Sequence, residues 1–164
     1  MATEHSHGKC LGGSVSYRFP GTPLLTAVCH CRNCQRQTGS AFSIVAAVPR
    51  AGFALHGETK VFIDVSDSGR PVERHFCPEC GSPIFSAIAP MPDMVLIKAG
   101  TLDAFAELTP SVEVFCDYAL PFHQPVSGTS AMPCIVAPYK LPGVTGSTAG
   151  VGSARLGAGP VATD

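Results

Sequence analysis

The chain has 164 residues, of which 45% are hydrophobic and 14% charged, and its formal net charge at pH 7 is -1. This length fits one domain with a genuine core. The balanced charge excludes the basic stripe that nucleic-acid binding requires. No window approaches the ~18 consecutive apolar residues of a membrane-spanning helix, so neither nucleic acid nor a membrane is an expected partner.

The amino terminus, residues 1–7, lacks the basic start and apolar stretch of a signal peptide. We therefore expect a cytoplasmic location, where thiols stay reduced or bind metal.

Glycine and proline, 17 and 15 residues respectively, interrupt the chain often and make long helices improbable. Between them lie short runs with period-two alternation or β-branched content, which predict strands. In chain order these runs are 14–19, 24–29, 42–48, 60–65, 72–76, 84–87, 94–99 and 112–115. Helical turns are expected only at 33–38 and 102–105. The predicted fold class is all-β, a sandwich or barrel-like domain of short antiparallel strands.

The composition changes near residue 126. Residues 143–164 are rich in Gly, Ala, Ser, Thr and Val and carry almost no charge or aromatic side chains. Such a segment has no apolar face whose burial would offset the entropy of ordering. We predict an ordered domain over 5–125 and an extended, flexible tail over 126–164.

The segment Cys77-Pro78-Glu79-Cys80-Gly81 has the spacing of a zinc knuckle. Two intervening residues let both sulfurs approach one ion at ~2.3 Å, and the glycine allows the backbone to turn afterwards. Zinc requires further ligands from elsewhere in the chain. Cys10, just before a predicted strand, is the expected donor.

A second group, Cys29, Cys31 and Cys34, offers three thiolates within six residues. Three protein ligands with an open fourth position are typical of a catalytic or ligand-exchanging zinc. We predict that these cysteines bind zinc and carry the chemistry. His30 lies between two candidate ligands, so its ring is expected to point away, although a distant fourth ligand remains an alternative.

Other interpretations of the cysteines and histidines are weaker. A disulfide across Cys-x-Cys would be strained, and the expected compartment is reducing. A thioredoxin-like redox motif would need a βαβ context. Cys116 and Cys134 have no partner spacing and are interpreted as plain thiols. The remaining histidines are scattered and are interpreted as surface or hydrogen-bonded residues: His5, His7, His56, His75 and His123.

Three motifs together resemble the glutathione-dependent formaldehyde-activating enzyme family, which includes centromere protein V. They are Gly-x-Cys-x-x-Gly-x-Val at 8–15, Cys-x-Cys-x-x-Cys with a following glycine at 29–39, and Phe-Cys-x-x-Cys-Gly at 76–81. Supporting segments are 41–42, 48–49, Gly57, 82–85 and 100–103. The resemblance covers roughly residues 8–123.

The resemblance implies a β-tent, a zinc-containing β-sheet fold similar to that of type B methionine sulfoxide reductases and GTPase-associated chaperones. It also implies a structural zinc on Cys-x-Cys plus Cys-x-x-Cys, and a second zinc on the three-cysteine cluster that glutathione can approach. The first motif departs from the family because Gly12 stands where the second cysteine is usual. Only Cys10, Cys77 and Cys80 are left for that site, which we expect to be weakened. One or two zinc ions per chain are therefore predicted.

The leading functional hypothesis is an enzyme, with the resemblance implying a carbon–sulfur lyase that joins or separates glutathione and formaldehyde. Zinc can activate a thiol or polarise a carbonyl; three thiolates weaken Lewis acidity, which favours thiol activation. Arg32 and Arg36 flank Cys34 and are candidates to bind the glutathione carboxylates, or are simply solvated. The alternatives are a zinc-stabilised binding module or chaperone-like protein without turnover, or a biosynthetic enzyme with another substrate. A homodimer is left open.

Overall fold

The computed structural model describes residues 4–66 and 69–132. Within these ranges lie eleven strands, one α-helix and three short 3-10 helices, at Ala99–Thr101, Phe105–Glu107 and Cys116–Tyr118. The other elements are β1 (His5–Lys9), β2 (Ser16–Pro20), β3 (Leu25–Cys29), α1 (Arg32–Thr38), β4 (Ser43–Pro49), β5 (Ala54–His56), β6 (Lys60–Val65), β7 (Pro71–Phe76), β8 (Pro83–Ile88), β9 (Met94–Lys98), β10 (Val112–Val114) and β11 (Ser130–Met132).

The strands form two sheets, which confirms the all-β prediction. The smaller has the order β1-β2-β5, and the larger has the order β11-β10-β3-β4-β9-β8-β7-β6. Neighbouring strands are antiparallel, with the exception that β10 runs parallel to both β3 and β11. After β9 the chain crosses over β4 and β3 before it forms β10 on the far side of β3. A parallel pair such as β3 and β10 needs a crossover connection of this kind.

The core lies between the two sheets. Alternate residues Val15, Tyr17 and Phe19, in and just before β2, are almost fully buried, as their period-two pattern predicts. They pack against apolar side chains from β4, β8 and β9, namely Ala46, Val48, Ile84, Phe85, Val95 and Ile97. Cys10 and Cys77 belong to the same cluster. The smaller sheet therefore covers one face of the larger sheet and places a pair of cysteines at the border of the core.

Strand β6 forms where the alternation predicts it, but its apolar side chains are not covered. It is the edge strand of the larger sheet, and Val61, Phe62, Ile63 and Val65 are 46–62% exposed. Alternation indicates a strand; it does not say which neighbour packs on that strand.

Three strands lie outside the predicted runs: β1, β5 and β11. Each is short or polar, so none carries a clear apolar alternation. The helical turn expected at 102–105 is displaced to two 3-10 turns on either side, at 99–101 and 105–107. Among the described elements, no helix combines the length and the apolar character that a bilayer crossing requires.

The division into a domain at 5–125 and a tail at 126–164 stays a prediction. Strand β11 lies on the tail side of the proposed boundary and pairs with β10. Residues 133–164, which include Cys134, lie outside the described residues.

Candidate active site

Three cysteines converge where strand β3 ends and helix α1 begins. Cys29 is the last residue of β3, Cys31 is the N-cap of α1, and Cys34 lies in its first turn. Their Sγ atoms lie within 4.8 Å of one another, and Cys31 Sγ accepts a 3.3 Å hydrogen bond from the Cys34 backbone N–H. Sulfurs bound at ~2.3 Å to one tetrahedral ion would be ~3.8 Å apart. This three-cysteine cluster could therefore hold a metal ion.

The three thiols of this cluster differ in their pKa values. Hydrogen bonds from Cys29 and Cys31 lower the pKa of Cys34 to about 2, against the effect of burial, and the charges of Lys98 and Arg74 lower it further. Hydrogen bonding to Cys31 and Cys34, together with burial, raises the pKa of Cys29 well above its usual value. One negative charge is therefore stabilised at Cys34 at neutral pH, even when the other two thiols are protonated.

Two buried cations offset this negative charge. Lys98 is 5% exposed and Arg74 is 7% exposed. Burial lowers the pKa of Lys98, and the Cys34 thiolate opposes that effect. For Arg74 the thiolate and Asp64 outweigh burial and raise the pKa of the guanidinium. The surroundings of the cluster are therefore arranged to stabilise anionic sulfur.

Sequence reasoning did not identify Arg74 or Lys98, although the sequence contains a signal for each. Arg74 is two positions from Val72, so both share the buried face of β7. Lys98 ends the apolar run of β9 at a buried position. A charged residue at a strand position that faces the core is rare unless it is paired. The position of each charge in its strand is therefore the signal that could have identified both residues.

Arg74 also connects the helix to the sheet. Its Nη2 lies 2.6 Å from Asp64 Oδ2, and its Nη1 donates a 2.8 Å hydrogen bond to Gln37 Oε1. Asn33 Nδ2 donates to both carboxylate oxygens of Asp64 at 3.1 Å. Helix α1 is thus held against β6 and β7 by a network centred on one carboxylate.

A groove of about 600 Å³ lies beside helix α1. Its lining residues come from α1, β6, β7, the turn after β7 and the start of β8: Asn33, Arg36, Gln37, Phe62, Asp64, Arg74, Phe76, Gly81 and Pro83. Arg36, one of the two arginines predicted to bind glutathione, is exposed in this lining. Arg32 is exposed but lies outside the lining, and its Nη1 donates a hydrogen bond to Gln35 Oε1. The structure therefore places the two candidates differently relative to the groove.

The second predicted group also comes together. The Sγ atoms of Cys10, Cys77 and Cys80 lie within 4.8 Å of one another, so this knuckle cluster could also hold a metal ion. Gly81 adopts φ 72°, and its N–H donates a 2.9 Å bond to the Cys77 carbonyl. This left-handed turn, which glycine favours, brings both knuckle sulfurs to the same side. Cys116 is not part of the cluster, because its Sγ donates to the Glu113 carbonyl at 3.4 Å.

Gly12, which stands where a second cysteine is usual, lies next to the knuckle cluster. A Cβ placed on Gly12 would lie 3.7 Å from Cys80 Sγ, so a cysteine side chain there could reach the other sulfurs. In its absence the hydroxyl of Ser14 lies 3.2 Å from Cys77 Sγ and 3.7 Å from Cys10 Sγ. A serine hydroxyl thus contacts two of the three thiols that the motif retains.

Comparison with known proteins identifies one family. A family model described as "Glutathione-dependent formaldehyde-activating enzyme" matches residues 5–118. Three curated relatives bear the name of the same enzyme, from Emericella nidulans (27% identity), Aspergillus terreus (28%) and Sordaria macrospora (30%). Their matches cover 48%, 49% and 46% of this chain and 40%, 41% and 32% of the relatives. The chain thus spans less than half the length of the curated relatives it matches.

Among solved structures, a crystal structure of a Rhodobacter sphaeroides protein aligns with a TM-score of 0.47 and 17% sequence identity. The alignment covers 63% of this chain and 91% of that chain.

Proposed function

Because the chain belongs to the glutathione-dependent formaldehyde-activating enzyme family, we propose that it joins or separates a thiol such as glutathione and an aldehyde such as formaldehyde. The observation that carries the proposal is the convergence of Cys29, Cys31 and Cys34. Arg74, whose charge acts on Cys34, also lines the groove beside helix α1. The proposed compartment is the cytoplasm, whose glutathione pool supplies the thiol.

Zinc is the ion that fits the donor set of the three-cysteine cluster, since thiolates suit zinc and no redox role is required of it. Cys29, Cys31 and Cys34 would hold it. When bound, such an ion supplies an open position at which a substrate thiol is stabilised as the thiolate, the nucleophilic form. Lys98 and Arg74 favour the same outcome, because their charges stabilise anionic sulfur at Cys34.

The proposed reaction is the addition of the thiol to the carbonyl carbon. A carbon–sulfur bond forms while the π electrons of the carbonyl move to oxygen, and that oxygen takes up the proton that the thiol releases. Atoms and charge balance without an oxidant or reductant. The reverse reaction breaks the same carbon–sulfur bond, which places the activity among carbon–sulfur lyases.

The groove supports binding of a peptide-like thiol. Glutathione has two carboxylates, and an arginine binds a carboxylate through paired, charge-assisted hydrogen bonds. Arg36 is an exposed residue of the groove lining, whereas Arg74 is engaged by Asp64. We therefore assign the carboxylate contact to Arg36. The knuckle cluster is proposed to hold a second, structural zinc through Cys10, Cys77 and Cys80.

The test measures how fast glutathione and formaldehyde exchange with their adduct, by exchange NMR spectroscopy on the zinc-loaded protein. Wild type should accelerate the exchange above the spontaneous rate, and Cys31→Ala should not. Cys116→Ala is the matched control, because Cys116 lies outside both clusters, and it should retain the wild-type rate. If wild type does not exceed the spontaneous rate, or if Cys31→Ala matches wild type, the proposal is wrong.

The same assay tests the groove. Arg36→Ala should raise the KM for glutathione about tenfold, because losing an exposed arginine–carboxylate contact costs ~1.4 kcal/mol of binding free energy. Arg32→Ala, the control outside the groove, should change KM much less. Equal effects of the two variants would contradict the assignment of Arg36.

A further inference from the structure

A third cluster of possible metal ligands includes His30, which lies between Cys29 and Cys31 in the sequence. The proposed function makes no use of this cluster. His30 Nε2 lies 2.9 Å from Glu113 Oε2, and His123 Nε2 lies 2.7 Å from the same oxygen. All three ligand atoms lie within 4.8 Å of one another. His30 is fully buried, Glu113 is 2% exposed, and the side chain of His123 is 9% exposed.

The fold brings these residues together from distant parts of the chain. His30 follows β3, and its ring points away from the cysteines on either side, toward β10. Glu113 is the central residue of β10, which lies parallel to β3 and is paired with Val28 at this position. His123 belongs to the segment that follows. Phe42 packs edge-on against both imidazoles, with centroid distances of 5.8 and 5.4 Å, so the cluster has an apolar wall.

The carboxylate at the centre of the cluster is charged. Its Oε1 accepts hydrogen bonds from the Val126 N–H at 2.6 Å and from Thr129 Oγ1 at 3.1 Å. Burial alone would raise the pKa of Glu113, but these bonds and those from the histidines lower it to about 2. The residue is therefore an anion at neutral pH.

This buried anion has no arginine or lysine partner within residues 4–66 and 69–132; its ion-pair partners there are the two histidines. A buried carboxylate is costly unless a positive charge compensates it. Either an imidazolium or a bound cation can provide that charge.

The donor set fits a cation. Two imidazole nitrogens and one carboxylate oxygen are a recurrent zinc ligand set, at ~2.0–2.1 Å from the ion. Neighbouring ligands at that distance lie ~2.9–3.4 Å apart for bond angles between 90° and 109°, close to the 2.9 and 2.7 Å observed here. Val126 and Thr129 hold the other carboxylate oxygen, as outer hydrogen bonds commonly do for metal-bound carboxylates.

We propose that His30 Nε2, Glu113 Oε2 and His123 Nε2 form a binding site for a divalent transition-metal ion of the zinc type. The site shares no residue with either cysteine cluster. It connects His30, which lies between the end of β3 and the start of α1, to the segment after β10. Because it uses other ligands, it can be present or absent whether or not the thiol–aldehyde activity is found.

The first experiment counts zinc per chain by elemental analysis, after loading with Zn²⁺ and dialysis into metal-free buffer. His123→Ala should contain one zinc fewer than wild type. His56→Ala, which removes an exposed histidine on β5, should keep the wild-type content. The difference between wild type and variant cancels weak uptake by other surface histidines. Equal zinc in wild type and His123→Ala would overturn the proposal and leave a carboxylate held by hydrogen bonds alone.

A second experiment does not depend on the folding of His123→Ala. Cobalt bound by thiolates absorbs strongly in the near ultraviolet, whereas cobalt bound by imidazole and carboxylate does not. Wild type should bind one equivalent of Co²⁺ beyond the amount that saturates the thiolate band, and Glu113→Gln should not. If the thiolate band and total uptake saturate together in wild type, the site does not exist. Loss of activity in Cys31→Ala is unaffected by either result.

Discussion

At the scale of single residues, the knuckle cluster shows how one substitution changes a metal site. Gly12 lies close enough to Cys80 that a side chain at this position would contact its sulfur. The backbone there does not have a positive φ, so a cysteine could be accommodated without strain.

Gly12→Cys should therefore stabilise the zinc-loaded protein. Structural zinc contributes ~10–16 kcal/mol over four ligands, so a restored thiolate is worth on the order of 3 kcal/mol. Thermal unfolding with zinc should show a higher Tm than wild type, and a chelator should abolish the gain. Gly12→Ala, which fills the same space without a sulfur, is the control. A gain equal to that of Gly12→Ala would show that packing, not ligation, is responsible.

Cys80 differs from ordinary thiols in its acidity. The hydroxyl of Ser82, 3.2 Å from its sulfur, and then the backbone N–H groups of Ser82 and Gly12 lower the pKa of Cys80 to about 6. Hydrogen bonds to the thiolate favour the charged form. At neutral pH this cysteine is therefore mainly a thiolate.

In metal-free protein, alkylation of Cys80 by iodoacetamide should persist at pH 7 and fall with a midpoint near pH 6. The thiolate is the reactive form, so a lowered pKa extends reactivity toward lower pH. Ser82→Ala removes the hydroxyl and should move the midpoint upward, toward the ordinary value of ~8.5. Peptide mass spectrometry across pH measures both midpoints. A wild-type midpoint near 8.5 would contradict the assignment.

At the scale of elements, helix α1 is too short to be stable alone, and the sheet holds it. The helix spans seven residues, and its contacts to β6 and β7 pass through Asp64 and Arg74. The position of Cys34 therefore depends on a polar network contributed by two strands at the edge of the larger sheet.

Asp64→Ala should lower the free energy of unfolding by about 2 kcal/mol, because it leaves the Arg74 guanidinium buried without its carboxylate. This is less than the ~3–5 kcal/mol for a fully buried pair, since the Asp64 side chain is 16% exposed. Glu73→Ala is the control: Glu73 is 56% exposed and lies 3.5 Å from His75, a pair worth less than ~1 kcal/mol. Urea unfolding measures both. Similar losses would show that the buried pair has no special role.

At the scale of the whole molecule, Glu113 joins the central sheet to the segment that follows it. Val126 and Thr129 bond to its carboxylate, and β11 pairs beside β10. Both features lie beyond residue 125, where the change in composition places the end of the ordered domain. The position of the domain boundary can therefore be tested by measuring the stability of truncated chains.

A chain that ends at residue 132 should be more stable than one that ends at residue 125. The shorter chain loses two hydrogen bonds to a charged group, together worth roughly 3 kcal/mol, as well as β11. Thermal unfolding of the two truncated proteins should differ by several degrees or more. Equal Tm values would support the boundary at 125 and would assign little stability to β11.

Much of the fold could be predicted from the sequence, because strand formation depends on local periodicity. The alternation of Val15, Tyr17 and Phe19 reports which face of β2 is buried, and the structure buries those residues. The spacing Cys-x-Cys-x-x-Cys places three sulfurs at one strand–helix junction for the same local reason. The grouping of Cys10 with the knuckle was also predicted, with the support of a family resemblance.

Other features were decided only by tertiary structure. Nothing local in Val61 or Ile63 says that β6 is an uncovered edge, because that depends on which strands pair beyond it. Arg74, Lys98, Glu113 and His123 are far in sequence from Cys29, Cys31 and Cys34. Their closeness comes from sheet order and from the parallel crossover to β10. The sequence by itself determined eight of the eleven described strands and the three-cysteine cluster, since short-range spacing specifies both. The charges and histidines around those clusters were decided by long-range pairing.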